Sequence, residues 1–162
     1  MSALPPIVMI HGMWCVGEIW SSFRLPFEAA GYTVYTPTLR HHALGAPHPE
    51  LGTTSLRDYV DDLAAFIATL PERPILIGHS MGGLLTQLLV AKGLAKAAIL
   101  VCSAAPRGVF PVRLSMLPAT TRIFSTPGFW KKPNKLNARE ARYAVFNEIS
   151  EGEAEARIDD LV

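Results

Sequence analysis

The sequence predicts an α/β fold in which a mostly parallel sheet is flanked by helices. Short apolar runs alternate with longer amphipathic segments in the order β-α-β-α-β-α-β. This order is typical of parallel strands joined by helices that cover both faces of the sheet. The first run, Ile7–Ile10, is apolar at all four positions, as expected of a strand buried on both faces.

Four strands are expected. Ile7–Ile10 is followed by Tyr32–Thr36, which is rich in β-branched and aromatic residues and ends at Pro37. The third strand is Ile75–Ile77 and the fourth is Ala97–Cys102. Because these runs are separated by segments with helical patterns, we expect them to lie parallel.

Three helices are expected between the strands. The first spans Trp20–Ala30, where Pro26 should break or kink it. The second begins at a capping box, Ser55–Asp58, and continues with apolar residues at helical spacing until Pro71. The third is Met81–Lys92, and a glycine follows it.

Composition excludes several classes of function. The chain has 162 residues, a formal net charge of +1 and 49% hydrophobic residues, which indicates a folded core and argues against a nucleic-acid or anionic-membrane role. No apolar run reaches the roughly 18 residues of a membrane-spanning helix. Met1–Pro6 has no basic region, so we expect no secretory signal. Cys15 and Cys102 are expected to be reduced thiols in a cytoplasmic protein.

The most informative motif is GHSMGG at Gly78–Gly83, between the third strand and the third helix. Gly-x-Ser-x-Gly in this setting is the pattern of a nucleophile elbow. A very tight turn holds the central Ser80 in strained backbone geometry, and glycine on both sides removes steric clashes. The start of the following helix helps to stabilise negative charge that develops beside the serine.

A second motif, HGMW at His11–Trp14, directly follows the first strand. With the elbow, it makes residues 4 to about 106 resemble the α/β-hydrolase superfamily, in particular its esterase and lipase-like members. The resemblance implies that Ser80 attacks an acyl carbon. It also implies that the backbone N–H groups of Met13 and Met81 bind the resulting oxyanion. Trp14 would lie by position near the acyl pocket, and an ordinary packed aromatic is an equal alternative.

The family pattern is interrupted after the elbow. Its catalytic triad runs in the order serine, acid, histidine, but all five histidines of this chain precede Ser80. The end of the fourth strand has no carboxylate, and Asp159 and Asp160 follow no predicted strand. We therefore assign no acid and no base within the chain.

The earlier histidines have other expected roles. We expect His79 to point away from the serine hydroxyl and His11 to buttress the loop after the first strand. The other three, His41, His42 and His48, lie in a loop at 39–54 that we expect to be solvated. They could hold a metal only with a further ligand, so we predict no metal site and no cofactor.

The composition changes after Pro106. Seven basic and no acidic residues occupy 107–139, and seven acidic and two basic residues follow to 162. The resemblance implies that 1–106 is the hydrolase core and 107–162 the start of a helical cap. The apolar residues of this segment could line an acyl pocket or simply pack together; they are Phe110, Leu114, Met116, Leu117, Ile123, Phe124, Phe129 and Trp130.

These patterns favour a serine hydrolase that cleaves a carboxylic ester, thioester or lactone of a small apolar acyl substrate. Its acid and base would come from a C-terminal part outside this chain or from a second polypeptide, and the oligomeric state is left open. One alternative is a non-catalytic binding module with the same fold. Another is a lyase, C–C hydrolase or perhydrolase of the same superfamily.

Overall fold

The computed structural model describes residues 4–45, 47–109, 114 and 117–162. Its sheet has four strands, β1 (Ile7–Ile10), β2 (Val34–Tyr35), β3 (Ile75–His79) and β4 (Ala97–Val101). Their order is β2-β1-β3-β4, and every neighbouring pair is parallel. The predicted α/β fold with a parallel sheet is therefore confirmed.

Six α-helices accompany the sheet in the part of the chain that the structure describes. They are α1 (Leu25–Ala29), α2 (Leu56–Ala68), α3 (Met81–Ala91), α4 (Leu117–Phe124), α5 (Ala138–Ala144) and α6 (Glu151–Arg157). Short 3-10 turns lie at Gly17–Trp20, Pro49–Thr53, Phe129–Lys131 and Ile158–Asp160. No helix in the described part of the chain is long and apolar enough to cross a membrane.

The central strands are covered on both faces. Successive strand residues point to opposite sides, so Val8 and Ile10 join one cluster with α2 and α3, while Ile7 and Met9 join another with Trp20. All four β1 residues are at most 1% exposed. The carboxyl ends of the strands therefore form one fixed edge of the sheet, and the loops after β1, β2 and β3 meet there.

The segment predicted as one helix, Trp20–Ala30, is different in the structure. A 3-10 turn ends at Trp20, and α1 begins only at Leu25. Pro26 lies in the first turn of α1, where its missing N–H would have no helical partner in any case. Of the two expected effects of Pro26, the structure therefore shows the break and not the kink, because α1 starts at the proline instead of passing through it.

Strand β4 is the exposed edge of the sheet. Ala97–Leu100 are exposed and only Val101 is half-buried. The strand is apolar throughout, with Ile99 48% and Leu100 47% exposed. Its inner edge pairs with β3 over five residues. Within the described residues, β4 therefore has neighbours on one side only.

Residues 117–162, the C-terminal segment, have a small core of their own. It contains Ile123, Leu136, Ala141 and Leu161, and Trp14 and Phe129 pack against it. Four of the apolar residues that were expected to line a pocket or to pack together are exposed; they are Leu114, Leu117, Phe124 and Trp130. Phe110 and Met116 lie outside the described residues.

Candidate active site

Ser80 occupies the tight turn between β3 and α3. Its φ of 53° and ψ of −118° are rare for a residue with a side chain. A Cβ built on Gly78 would lie 2.3 Å from the Gly82 carbonyl oxygen, and one built on Gly82 would lie 2.2 Å from the Ile10 carbonyl oxygen. Both glycines are thus required by neighbouring backbone.

The turn is also held from β4. The Ser80 N–H donates to the Val101 carbonyl at 3.1 Å, and the Ala104 N–H donates to the Ser80 carbonyl at 2.8 Å. A Cβ on Gly83 would lie 2.7 Å from the Ser103 Cβ, so this glycine lets α3 approach the segment after β4. The position of Ser80 is therefore fixed by two strands and a helix.

The loop after β1, His11–Trp14 (the β1 loop), lies directly beside Ser80. A Cβ on Gly12 would be 3.2 Å from the Ser80 Cβ and 3.2 Å from His79 Nδ1. The structure thus brings this loop and the serine turn together at one edge of the sheet, as expected from parallel neighbouring strands.

His11 is fully buried and bonded at both ring nitrogens. The Leu39 N–H donates to Nε2 at 2.9 Å, so Nε2 has no proton and Nδ1–H donates to the Gly12 carbonyl at 2.8 Å. Burial lowers the pKa of His11 to about 4. The ring is therefore neutral at pH 7, and the expected buttressing role is confirmed.

His42 is buried, contrary to the expectation of a solvated loop. Its Nε2 lies 2.9 Å from the Met13 carbonyl and its Nδ1 lies 3.2 Å from the Arg40 carbonyl. Sequence reasoning missed this contact because no spacing in the loop indicates it. The available signal was topological: β1 and β2 are parallel neighbours, so the loops that follow them meet at the same sheet edge.

The remaining loop histidines lie further out. His41 Nε2 is 3.4 Å from a Glu50 carboxylate oxygen, and the His41 ring stacks on His48 at 4.2 Å. Ligand atoms of these three residues lie within 4.8 Å of one another, so they could hold a metal ion. However, His48 Nδ1 already accepts the Glu50 N–H at 3.2 Å. A metal-bound histidine normally uses its other ring nitrogen as an N–H donor to a nearby acceptor. His48 Nδ1 instead accepts a hydrogen bond, so this arrangement suits a local cap better than a metal site.

His79 and Cys15 line a cavity of about 280 Å³ between the sheet edge and the C-terminal segment, together with Phe146 and Leu161. Burial lowers the pKa of His79 and raises the pKa of the Cys15 thiol. Both groups are therefore neutral at pH 7, and the charged residues that line this cavity are Glu18, Arg157 and Asp160.

A second cavity, of about 220 Å³, is lined by Met13, His42 and Met81 from the core and by Asn134 and Val162 from the C-terminal segment. This cavity brings together Met13 and Met81, whose backbone N–H groups were expected to bind the oxyanion.

Trp14 lines neither of these two cavities. Its ring packs against the core of the C-terminal segment, and its Nε1–H donates to the Asn134 carbonyl at 2.9 Å. These contacts are those of the packed-aromatic alternative, in which Trp14 joins the core to the C-terminal segment.

Comparison with known proteins gives a consistent picture. Residues 7–160 match the family model described as "Alpha/beta hydrolase family". Over 86 residues the chain is 33% identical to Methylesterase 17 of Arabidopsis thaliana, an alignment that covers 49% of this chain and 29% of that protein. It is 32% identical over 77 residues to the Pyrethroid hydrolase of Sphingobium wenxiniae, covering 48% and 27%.

Among solved structures, an extracellular alpha/beta-hydrolase from a Paenibacillus species is similar with a TM-score of 0.78 and 21% identity, over 98% of this chain and 66% of that one. A methylesterase from Arabidopsis gives a TM-score of 0.69 and 16% identity, over 98% and 65%. The chain therefore spans about two thirds of these structures, and its alignments span less than a third of the first two curated relatives.

Proposed function

The chain belongs to the alpha/beta hydrolase family, and we propose that it carries the nucleophile of a serine hydrolase that cleaves ester-type bonds. The observation that supports this most directly is the backbone of Ser80, held at φ 53° between glycines that neighbouring backbone requires. Strain of this kind persists only where the surrounding structure enforces it, and it is concentrated at functional sites.

In the proposed reaction, the Ser80 oxygen attacks the acyl carbon and its proton passes to a general base. The charge on the carbonyl oxygen is stabilised by the backbone N–H groups of Met81 and Met13. The alcohol leaves with the proton from the base, and water then hydrolyses the acyl-serine ester. The start of α3 directly after Ser80 supports this role, because its N-terminus favours negative charge.

The general base and the acid are proposed to lie outside this chain, on further residues of the same polypeptide or on a second one. Both nitrogens of His11 are already bonded, and both nitrogens of His42 lie at backbone carbonyls. His79 precedes the nucleophile, and every other histidine lies earlier in the chain. No coordinated metal or other cofactor is required by the proposed chemistry.

The proposed substrate is a carboxylic ester with a small apolar acyl group. The cavity of about 280 Å³ beside His79 supports this, since Val16, Ile19, Leu44 and Phe146 are among its lining residues. Relatives named as methylesterase and pyrethroid hydrolase support an ester substrate. The C-terminal segment is proposed to be a cap over this cavity.

We also propose a cytoplasmic location, which the unpaired Cys15 and Cys102 support.

A serine-directed fluorophosphonate tests the proposal. We expect mass spectrometry to find the label on Ser80 only when the 162-residue chain is joined to, or mixed with, the polypeptide that supplies the base. Ser80→Ala should abolish labelling and turnover of p-nitrophenyl esters, whereas the neighbouring Ser103→Ala should preserve both. Equal labelling of the isolated chain would contradict an external base. Absence of Ser80 labelling in every preparation would contradict the hydrolase itself.

A non-catalytic binding module is the second candidate, and the backbone contacts at both ring nitrogens of His11 and of His42 favour it. In that case Ser80→Ala leaves the affinity for an apolar ester, measured by calorimetry, nearly unchanged, and wild type shows no turnover. A hydrolase instead shows turnover that disappears with Ser80.

A further inference from the structure

We propose that His42 is a positioning residue that orients the backbone of Met13, the second oxyanion donor. This inference rests on the proposed function for its catalytic meaning. Its structural basis is independent of that function: the His42 side chain is buried, and its Nε2 lies 2.9 Å from the Met13 carbonyl oxygen. The Nε2 contact is the shorter of the two carbonyl contacts of this ring, so we place an N–H at Nε2.

The two buried histidines hold consecutive peptide groups. In a planar trans peptide the C=O and the next N–H point in opposite directions. His11 donates to the Gly12 carbonyl, so it fixes the direction of the Met13 N–H. His42 donates to the Met13 carbonyl, so it fixes the following peptide. Both peptide planes that flank the Met13 Cα are therefore held by imidazoles.

His42 is itself fixed by the loop after β2 (Leu39–His42, the β2 loop). Its backbone N–H donates to the Leu39 carbonyl at 3.1 Å, and the Leu39 N–H donates to His11 Nε2 at 2.9 Å. The His42 ring lies edge-on between the rings of His11 and Tyr59, with centroids at 5.2 and 5.6 Å. The hydrogen bonds form a closed circuit that joins the β1 and β2 loops.

The side chain of Met13 does not provide an alternative anchor, because the residue is 50% exposed. The orientation of the Met13 backbone therefore depends on the two imidazoles more than on packing. An oxyanion donor stabilises the transition state only when it is aimed before the charge develops. Loss of the His42 bond would free the second of the two peptide planes at Met13, so the donor would be present but less firmly aimed, which lowers the rate of the chemical step more than substrate binding.

A pair of variants isolates the hydrogen bond. His42→Phe keeps a ring between His11 and Tyr59 and removes the donor, whereas His42→Gln places an amide N–H near the position of Nε2. In the preparation that shows Ser80-dependent ester turnover, we expect His42→Phe to lower kcat by about 10- to 100-fold with KM changed by less than about threefold. His42→Gln should restore most of kcat even if both variants have the same Tm.

The structural part can be measured without turnover. In the 162-residue chain labelled with carbonyl-¹³C methionine, the Met13 resonance should move upfield in His42→Phe, because its hydrogen bond is lost, and return towards wild type in His42→Gln. An unchanged resonance in His42→Phe, or equal kcat losses in the two variants, would overturn the role of His42. A wild type without Ser80-dependent turnover would instead overturn the proposed function, and the resonance would still report whether His42 holds Met13.

Discussion

The strands at the centre of the molecule and the C-terminal segment bury their apolar residues to very different degrees. Ile7–Ile10 of β1 are at most 1% exposed, whereas Phe124 is 62% and Trp130 66% exposed. A strand covered on both faces buries every residue, but a short helix buries only the stripe that faces its neighbour. In the core, neighbouring backbone segments are therefore in close contact. In the C-terminal segment, few positions are enclosed enough for a substitution to cause a steric clash.

The two regions also differ in the polar groups that they bury. The core encloses His11 as a neutral ring with both nitrogens bonded to backbone. The C-terminal segment encloses the Glu140 carboxylate, which is 7% exposed and accepts two hydrogen bonds from the Arg122 guanidinium at 2.8 and 2.7 Å. Acid should therefore weaken the core by charging a ring, and it should weaken the C-terminal segment by protonating a carboxylate whose pKa the Arg122 guanidinium lowers.

The largest effect is expected from a single methyl group in the core. Gly82→Ala would place a Cβ 2.2 Å from the Ile10 carbonyl oxygen, and neither backbone can move without disturbing the sheet. We expect a loss of about 3 kcal/mol or more in the free energy of unfolding, measured by urea denaturation. The matched change in the C-terminal segment is Gly152→Ala in α6, where no atom lies within 4 Å.

Gly152→Ala should stabilise the protein by up to about 1 kcal/mol, because alanine favours a helix over glycine. If the two alanine variants unfold at the same urea concentration, the contrast in packing between the two regions is wrong.

The next largest effect is the pH dependence of the free energy of unfolding, which we expect to arise from His11 in the core. The pKa of His11 is about 4 in the folded protein and 6.5 in a model peptide. The unfolded chain therefore binds the proton more readily. Stability is complete above about pH 6.5, falls as the pH is lowered, and levels off below about pH 4, with a total loss of about 3 kcal/mol from this residue.

Urea denaturation between pH 4 and 8 measures the slope of the free energy of unfolding against pH. The non-titrating His11→Gln should reduce this slope. His79, whose pKa burial also lowers, would leave a smaller slope of the same sign. A slope that is identical in wild type and His11→Gln would remove His11 as its cause.

A smaller effect is expected in the C-terminal segment. Arg122→Gln would leave the Glu140 carboxylate without its ionic partner, and we expect a loss of about 1–2 kcal/mol by urea denaturation. The control is Arg157→Gln, whose partner Glu153 is exposed at 49% while Arg157 is exposed at 56%; this change should stay within about 0.5 kcal/mol. Equal losses in the two variants would show that the burial of Glu140 adds nothing.

Features that depend on residues close together along the chain could be predicted from the sequence. The turn at Ser80 needs only a strand, a helix and glycines at fixed positions, and all of these are visible along the chain. Likewise, the capping box at Ser55 and Asp58 forms as predicted. The start of α1 was misplaced because a proline pattern is compatible with a kinked helix as well as with a helix that begins there.

Features that depend on long-range contacts could not be predicted in the same way. His42 reaches Met13 across 29 positions of sequence, and only the order of the strands brings the two loops together. The exposed positions of Phe124 and Trp130 were equally hidden, because composition indicates how apolar a segment is but not which of its residues its neighbours cover.

The two hydrogen bonds that tie Ser80 to the end of β4 link the reactivity of the nucleophile to the fraying of an edge strand. The Val101 carbonyl at the end of β4 and the Ala104 N–H just after it hold the Ser80 backbone, and residues Ala97–Leu100 of this strand are exposed. Exposed edges open locally at a lower free energy than the rest of a sheet. Each opening of β4 would release Ser80 from its strained geometry, so amide exchange at Ser80 should report the opening of β4 while β1 stays protected.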